Sequence, residues 1–375
     1  MYLNILMLYG FLGLLCVFSF CAKTDTNNIK FAYFPIIIIV FLLYICFSCF
    51  QYIDVSDMSY WTEKNDLVRY KINYDRAINF SLRNYYLYNQ QEPLYTLLVF
   101  LFRRITPYFS FFLVFIYVFN LFCFIKFIQT FITRYNFASL ISAYSIYYTF
   151  FLQTYCLLRM GIAVSFSLLV YCSLSEKKMK QSVVLSIVSS LFHISSIYLL
   201  LLIMYYCFFN KHKRYFVLES IVLFFIGLIA LKIVTKILPL FSNRYLHYLN
   251  LKSALALRTY ITYFIFLIFM ILKKQKFLER KGGDIFFVTM MSILYIFALQ
   301  TVVSIFYRMI FFTYPALMFS SLWVFEIDKI NKRNFFLSLM AKIYAILFWI
   351  MKVYQFCTNL WFDTGLDIYK LFYIN

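Results

Sequence analysis

Long apolar runs, separated by short stretches rich in lysine and arginine, set the reading of this chain. The hydrocarbon core of a bilayer is about 30 Å thick and takes about 20 residues of helix to cross, somewhat fewer where charged ends reach back to the interface. Used as a ruler, that length predicts about twelve spans, at approximately 5–21, 31–50, 108–129, 138–153, 158–174, 182–192, 195–209, 216–237, 256–272, 284–303, 309–325 and 335–355. The two halves around Phe192-His193 are short, and together they could make one long bent helix. Residues 51–92 form the longest polar stretch, which at about 40 residues suits a loop with a short helix or two and not an independent domain. Arg103-Arg104, just before Pro107, interrupt the apolar stretch 93–129 and read as a short helix lying at, or re-entering from, one membrane surface. The pattern predicts an all-α polytopic integral membrane protein, one transmembrane helical domain over 1–375 with a large loop at 51–92.

Charge orients this layout. Counting both halves around His193, the loops 22–30, 130–137, 175–181, 210–215, 273–283 and 326–334 share one face and carry 17 basic against 5 acidic residues. Such a surplus marks the cytoplasmic side and puts both termini, and the loop 51–92, outside. The two faces also differ in kind. The 17 inner residues are 13 Lys and 4 Arg, whereas the outer side offers Arg69, Arg76, Arg83, Arg159, Arg244, Arg258 and Arg308 against Lys64, Lys71 and Lys252. The planar guanidinium grips phosphate oxygens in two-pronged fashion, while an ammonium is a hydrated point charge. Ordinary interfacial anchoring accounts for any single one of these arginines equally well.

Composition agrees with a lipid-facing protein: 64% of the 375 residues are hydrophobic and only 13% charged. The net charge of +20 lies in clusters between spans, so it serves topology and does not call for nucleic acid. Nine cysteines, mostly within or at the ends of apolar runs, suit small core residues better than a disulfide frame; Cys46-Phe-Ser-Cys49 has redox spacing without a second pair or a nearby histidine. Residues 1–21 lack a basic leader and a small-residue cleavage site, which favours an uncleaved first span.

The acids limit the chemistry. Of fifteen, only Glu219, Asp284, Asp363 and Asp367 lie outside the 51–92 loop and the inner loops, and none is near the middle of a span, where a proton- or sodium-coupled carrier needs them. No phosphate-binding glycine loop, dinucleotide turn, nucleophile elbow or His/Cys metal spacing occurs, so neither metal nor cofactor is called for. The outer loop mixes Asp57 with Tyr60, Trp61, Tyr70, Tyr74, Tyr85, Tyr86 and Tyr88, which suits the hydroxyls and C–H faces of carbohydrate; an interfacial aromatic belt would give much the same set.

Four segments carry a resemblance to a known family: Ile53-Asp54-Val55-Ser56-Asp57-Met58-Ser59-Tyr60 followed by Glu92-Pro93-Leu94-Tyr95; Leu157-Leu158-Arg159-Met160-Gly161-Ile162-Ala163; Phe192-His193-Ile194-Ser195-Ser196; and Tyr307-Arg308 running to Tyr314-Pro315. In this order and spacing, over roughly 50–320, the chain resembles the EpsG family of bacterial polysaccharide polymerases, a branch of the Wzy-type O-antigen and capsule polymerases. It departs from the family at Met160, where Gln is usual, and at Val55-Ser56-Asp57, where Gly-Thr-Asp is common. The resemblance implies inverting, metal-independent glycosyl transfer at the periplasmic face of the bacterial inner membrane. The growing glycan on undecaprenyl diphosphate would be donor, a lipid-linked repeat unit acceptor, and a chain-length regulator and a flippase the protein partners.

Diphosphate leaving groups gather negative charge, so fixed guanidiniums are the expected stabilisers where no metal is bound. Arg159, Arg244 and Arg308 are the candidates, with Tyr60 and Tyr245 as further substrate contacts. Asp57, Glu92 and His193 are the candidates to take or orient the acceptor's proton. Glu92, before Pro93, suits a helix N-terminus equally well, and His193 at a bend could merely serve a backbone carbonyl. A lipid-linked oligosaccharide flippase or transporter, an O-antigen ligase and another polyprenyl-dependent glycosyltransferase remain as competing readings.

Overall fold

The computed structural model describes residues 51–52, 66–131, 157–241, 257–302, 304–327, 339–340, 342–344, 347 and 370–371. Apart from a two-residue antiparallel pairing of β1 (Gln51–Tyr52) with β2 (Lys370–Leu371), every regular element among them is helical. The predicted spans at 5–21, 31–50 and 138–153, and nearly all of 335–355, lie outside the described residues.

The polar loop folds into two helices, α1 (Asp66–Arg76) and α2 (Leu82–Asn89), joined by a 3-10 turn at Ala77–Asn79. Ser81 caps α2, its hydroxyl accepting from the amide of Asn84, and the helix ends at Gln90 in the left-handed region (φ 48). That conformation is uncommon for a residue with a Cβ and turns the chain sharply toward α3 (Pro93–Ile105). Pro93 fits the first turn of α3 because no partner for its missing amide hydrogen would be available there. Arg104 donates to the carbonyls of Phe80 (2.9 Å) and Phe100 (3.1 Å), so the arginine pair near Pro107 fastens the loop helices to α3.

Behind this layer stand α4 (Phe109–Phe131), α5 (Leu158–Ser175) and α6 (Met179–Phe192). Small buried residues, among them Gly161, Ala163, Ser182, Ser186 and Ser189, let α5 and α6 approach closely, and the Ser189 hydroxyl donates to the Ala163 carbonyl at 2.8 Å. Ser165 bonds Asn120 at 2.6 Å and ties α5 to α4.

At His193 the backbone is extended (φ −155), and a 3-10 turn (Ile194–Ile197) leads into α7 (Tyr198–Lys211). The chain reverses here. Ser189 of α6 lies against the start of α5, whereas Tyr206 of α7 bonds Asp284, two residues before Phe286, which stacks on Tyr171 near the end of α5. Residues 179–211 are therefore two antiparallel elements and not one bent helix.

Then come α8 (Phe216–Phe241), α9 (Leu257–Leu272), the short α10 (Lys274–Leu278), α11 (Gly283–Val302), a 3-10 helix (Ser304–Thr313) and α12 (Tyr314–Ile327). Phe127, Phe131, Phe286, Phe319 and Trp323 form an aromatic cluster at the Tyr171 end, with Phe286 and Phe319 stacked at 4.6 Å. Leu201, Met204, Leu218, Phe225, Ile229 and Ile268 point outward, apolar surface that suits lipid contact. By length and composition, Leu158–Ser175, Ile194–Lys211 and Gly283–Gln300 suffice to cross a membrane among the described residues.

Candidate functional site

One cavity of about 800 Å³ gathers the polar ends of several elements. Its wall takes Asp66, Arg69 and Tyr70 from α1, Asn89 to Glu92 from the turn before α3, Leu157, Arg159 and Met160 from the start of α5, His193 to Ser195 from the α6–α7 reversal, and Tyr307, Arg308 and Phe311 from the 3-10 helix. The 3-10 helix is held at its far end by Tyr171, whose hydroxyl donates to the Phe312 carbonyl at 2.9 Å, and by Thr313, which bonds Tyr263 at 2.8 Å.

Arg159 is the centre of the polar network. A cation in the first turn of α5 opposes the helix dipole, so helix stability does not explain it. Its Nη1 donates to Glu92 Oε2 at 2.6 Å and its Nε to the Tyr70 hydroxyl at 3.3 Å. Tyr70 is fixed in turn by burial and by edge contact with Tyr95 at 5.7 Å. The side chains of Arg159 and Glu92 are 25% and 15% exposed, so the pair is screened from water without being sealed off.

Glu92 sits at the N-cap of α3, yet its side chain makes no capping bond. Its Oε1 instead accepts from the Ile194 amide of the α6–α7 reversal at 3.4 Å. Burial pushes its carboxyl up, but the Arg159 charge, aided by His193, outweighs this and holds it below the ordinary carboxylate range. Glu92 is thus an anion at neutral pH.

His193 is 5% exposed, and its Nδ1 accepts from the Ser195 amide at 3.2 Å, capping the 3-10 turn. The neutral ring therefore carries its hydrogen on Nε2. Burial first, then the charges of Arg159 and Arg308, push its pKa down to about 4 against the opposing pull of Glu92. At neutral pH His193 is an uncharged ring with one donor. The carbonyl partner considered for it from the sequence is replaced by an amide.

The part of the lining supplied by α2 and by Gln90 and Gln91 after it is neutral and polar. Tyr88 stacks on Phe80 at 5.1 Å and takes a hydrogen bond from Arg76, while Asn89 bonds Gln91 at 3.1 Å and the Tyr85 hydroxyl at 3.3 Å. With these amides and phenols the lining holds three arginines, of which Arg69 is exposed, and two carboxylates, one positive charge in excess.

Glu92, Arg159, His193 and Arg308, far apart in sequence, thus meet in one cavity. Asp57, Tyr60, Arg244 and Tyr245 lie outside the described residues. Sequence reasoning passed over Asp66, Gln90 and Gln91. Asp66, Arg69 and Tyr70 share one face of α1 at the i, i+3, i+4 spacing, a signal readable once the helix is located. Among the described residues no group of three or more His, Cys, Asp or Glu comes together to hold a metal ion. A model described as the EpsG family matches residues 36–362. No curated protein and no solved structure matches the chain.

Proposed function

The chain belongs to the EpsG family, and on that premise we propose that this membrane protein polymerises lipid-linked oligosaccharide repeat units for a cell-surface polysaccharide. The observation that carries the reading is the convergence of Arg69, Arg159 and Arg308 on one cavity with Glu92 and His193. The donor is a glycan on undecaprenyl diphosphate. An acceptor hydroxyl of a second lipid-linked unit attacks the anomeric carbon from the face opposite the phosphate. A new C–O bond forms there as the bond to phosphate breaks, and the electron pair leaves with the diphosphate. Guanidiniums fixed beside the departing phosphate are worth more than mobile water because they need no reorganisation as the charge grows. The Nε2–H of His193 adds a neutral donor to the same charge.

Helix length and loop charge support a periplasmic site. Leu158–Ser175 is 18 residues, about 27 Å at the usual helical rise, so Arg159 lies roughly one hydrocarbon thickness from the Lys177-Lys178 turn. With that lysine-rich turn cytoplasmic, the cavity opens to the periplasm of the inner membrane.

A glycan ladder from a deletion strain tests the function. Loss of a polymerase leaves a single capped repeat, restored to a ladder by the parent gene. Loss of all attached glycan would instead identify a ligase, and stranding of units inside the cell a flippase; either result ends the polymerase reading.

A further inference from the structure

The network that fixes Arg159 also stands in the way of the ligand it would bind. A guanidinium grips phosphate with two adjacent nitrogens, either Nε with Nη2 or Nη1 with Nη2. In this chain Nε is engaged by Tyr70 and one of the two Nη1 hydrogens by Glu92, so each two-pronged edge includes a nitrogen that already has a partner. The two partners differ in how readily they yield. The Tyr70 contact is long at 3.3 Å and neutral, whereas the Glu92 contact is short at 2.6 Å and pairs full charges. A second anion brought to Arg159 therefore meets Glu92 as its rival.

We propose that Glu92 is an internal competitor for the diphosphate: its carboxylate and the phosphate oxygens contend for the same guanidinium, and Glu92, once displaced, receives the proton of the acceptor hydroxyl. This rests on the polymerase reading of the cavity and adds an order of events to it. While it holds Arg159, Glu92 is a poor base, because the neighbouring cation stabilises its anionic form. When the diphosphate takes the guanidinium, Glu92 loses that support and gains a negative neighbour, and both changes raise its affinity for a proton. The proton balance closes: the acceptor O–H gives its hydrogen to Glu92 as the new C–O bond forms, and the electron pair of the broken bond leaves on the diphosphate. The charge balance improves as well. The lining carries one excess positive charge with Glu92 ionised, and a protonated Glu92 raises the surplus that faces the departing diphosphate. The remaining Glu92 contact, Oε1 with the Ile194 amide at 3.4 Å, keeps the freed carboxyl at the cavity wall. A base that is competent only after the leaving group is seated would also discourage reaction with an unpaired acceptor.

The test uses the full chain purified in detergent, titrated calorimetrically with inorganic pyrophosphate. Glu92→Gln keeps shape and removes the rival charge, so it should bind pyrophosphate about tenfold more tightly than the parent while making no polymer. Glu92→Asp withdraws the carboxylate by one methylene and should tighten binding by a smaller factor; it decides the matter if Glu92→Gln does not fold. Binding by these variants equal to or weaker than the parent's, or absent throughout, overturns the competition and makes Glu92 a positioning residue for Arg159. Tighter binding with parental polymer output overturns the proton transfer. The polymerase reading fails separately, on an unchanged glycan ladder in the deletion strain.

Discussion

The Glu92 carboxylate meets the Arg159 guanidinium at 2.6 Å although 66 residues separate them in the chain, and the Ile194 amide reaches the same carboxylate from a third element. The start of α3, the start of α5 and the α6–α7 reversal are thereby held at one point. Such a pair does more for geometry than for stability, because removing two charges from water costs much of what their attraction returns. Its position at the start of α5, which packs through small residues on α6, makes Arg159 a fixed point against which a ligand can be placed.

Arg159→Lys follows directly. Lysine keeps the charge and can reach Glu92, but one ammonium cannot hold Tyr70, Glu92 and a phosphate in the planar arrangement of a guanidinium. A charge-assisted bond is worth about 1.5–3 kcal/mol, so turnover should fall roughly tenfold to a hundredfold at unchanged membrane abundance. Arg280→Lys, in the loop before α11, is the matched control and should be silent. Polymer of parental length and amount from Arg159→Lys would reduce this arginine to an interfacial anchor.

Gly283 makes a purely structural demand. A Cβ built there would lie 1.7 Å from the Phe277 carbonyl oxygen, a backbone atom that cannot swing away. Its neighbour Gly282 is in the left-handed region (φ 75), with Phe131 of the aromatic cluster pressed against it. Gly283→Ala should therefore destabilise by roughly 3 kcal/mol, in the upper range for overpacking, and lower membrane abundance several-fold. Quantitative immunoblotting of membranes checks it, and parental abundance would mean that the α10–α11 turn opens without penalty.

The spans and the site were legible in the sequence to different depths. Apolar runs and basic loops located the helices at 109–131, 158–175, 216–241 and 283–302 within a few residues, because lipid solvation imposes length and composition on every span. The His193 break was ambiguous, since two short apolar halves fit one bent helix as well as two; the contacts that decide it, Ser189 with Ala163 and Tyr206 with Asp284, join residues 26 and 78 apart. Glu92 was equally open. Its place before Pro93 suits a cap, and only the reach to Arg159 and Ile194, a tertiary fact, shows where the carboxylate goes. Gln90 and Gln91 carry no charge or motif, so nothing in the chain alone marked them.

His193 makes stability depend on pH. Its ring ordinarily titrates at 6.5 and is held down to about 4, so below 6.5 the unfolded chain takes up a proton that the folded one refuses. Stability is full above that point and falls toward pH 4, by an amount on the order of 3 kcal/mol, then levels off. Glu92, lowered from 4.5, adds its own loss only at still lower pH. Among the described groups with a shifted titration, the histidine is the one that changes stability between 6.5 and 4.5. His193→Asn keeps an acceptor for the Ser195 amide and cannot titrate, so its thermal midpoint in detergent should fall less steeply across this window than the parent's. Parallel curves would show that the imidazole titrates freely in the folded protein.

Arg308 reaches the same cavity by a different device. It lies on the 3-10 helix at Ser304–Thr313, whose far end is anchored where Tyr171 donates to the Phe312 carbonyl at 2.9 Å and to Thr289 at 3.2 Å. If Arg308 is a fork for the diphosphate, its charge alone is insufficient, and Arg308→Lys should shorten or abolish polymer with normal membrane levels, by the same tenfold to hundredfold expected at Arg159. If its placement depends on the anchor, Tyr171→Phe should impair turnover as well. That variant leaves the Phe312 carbonyl without its phenol donor and lets the 3-10 helix shift, while the guanidinium itself is intact. Its defect should be smaller than that of Arg308→Lys, and combining the two should be less than additive, because both act on one arginine. Polymer length and amount, normalised to protein abundance, read all three strains. Full additivity would separate Tyr171 from the site and leave it a core residue, whereas parental polymer from Arg308→Lys would remove Arg308 from the diphosphate-binding set and leave Arg159 and Arg69 to carry the charge.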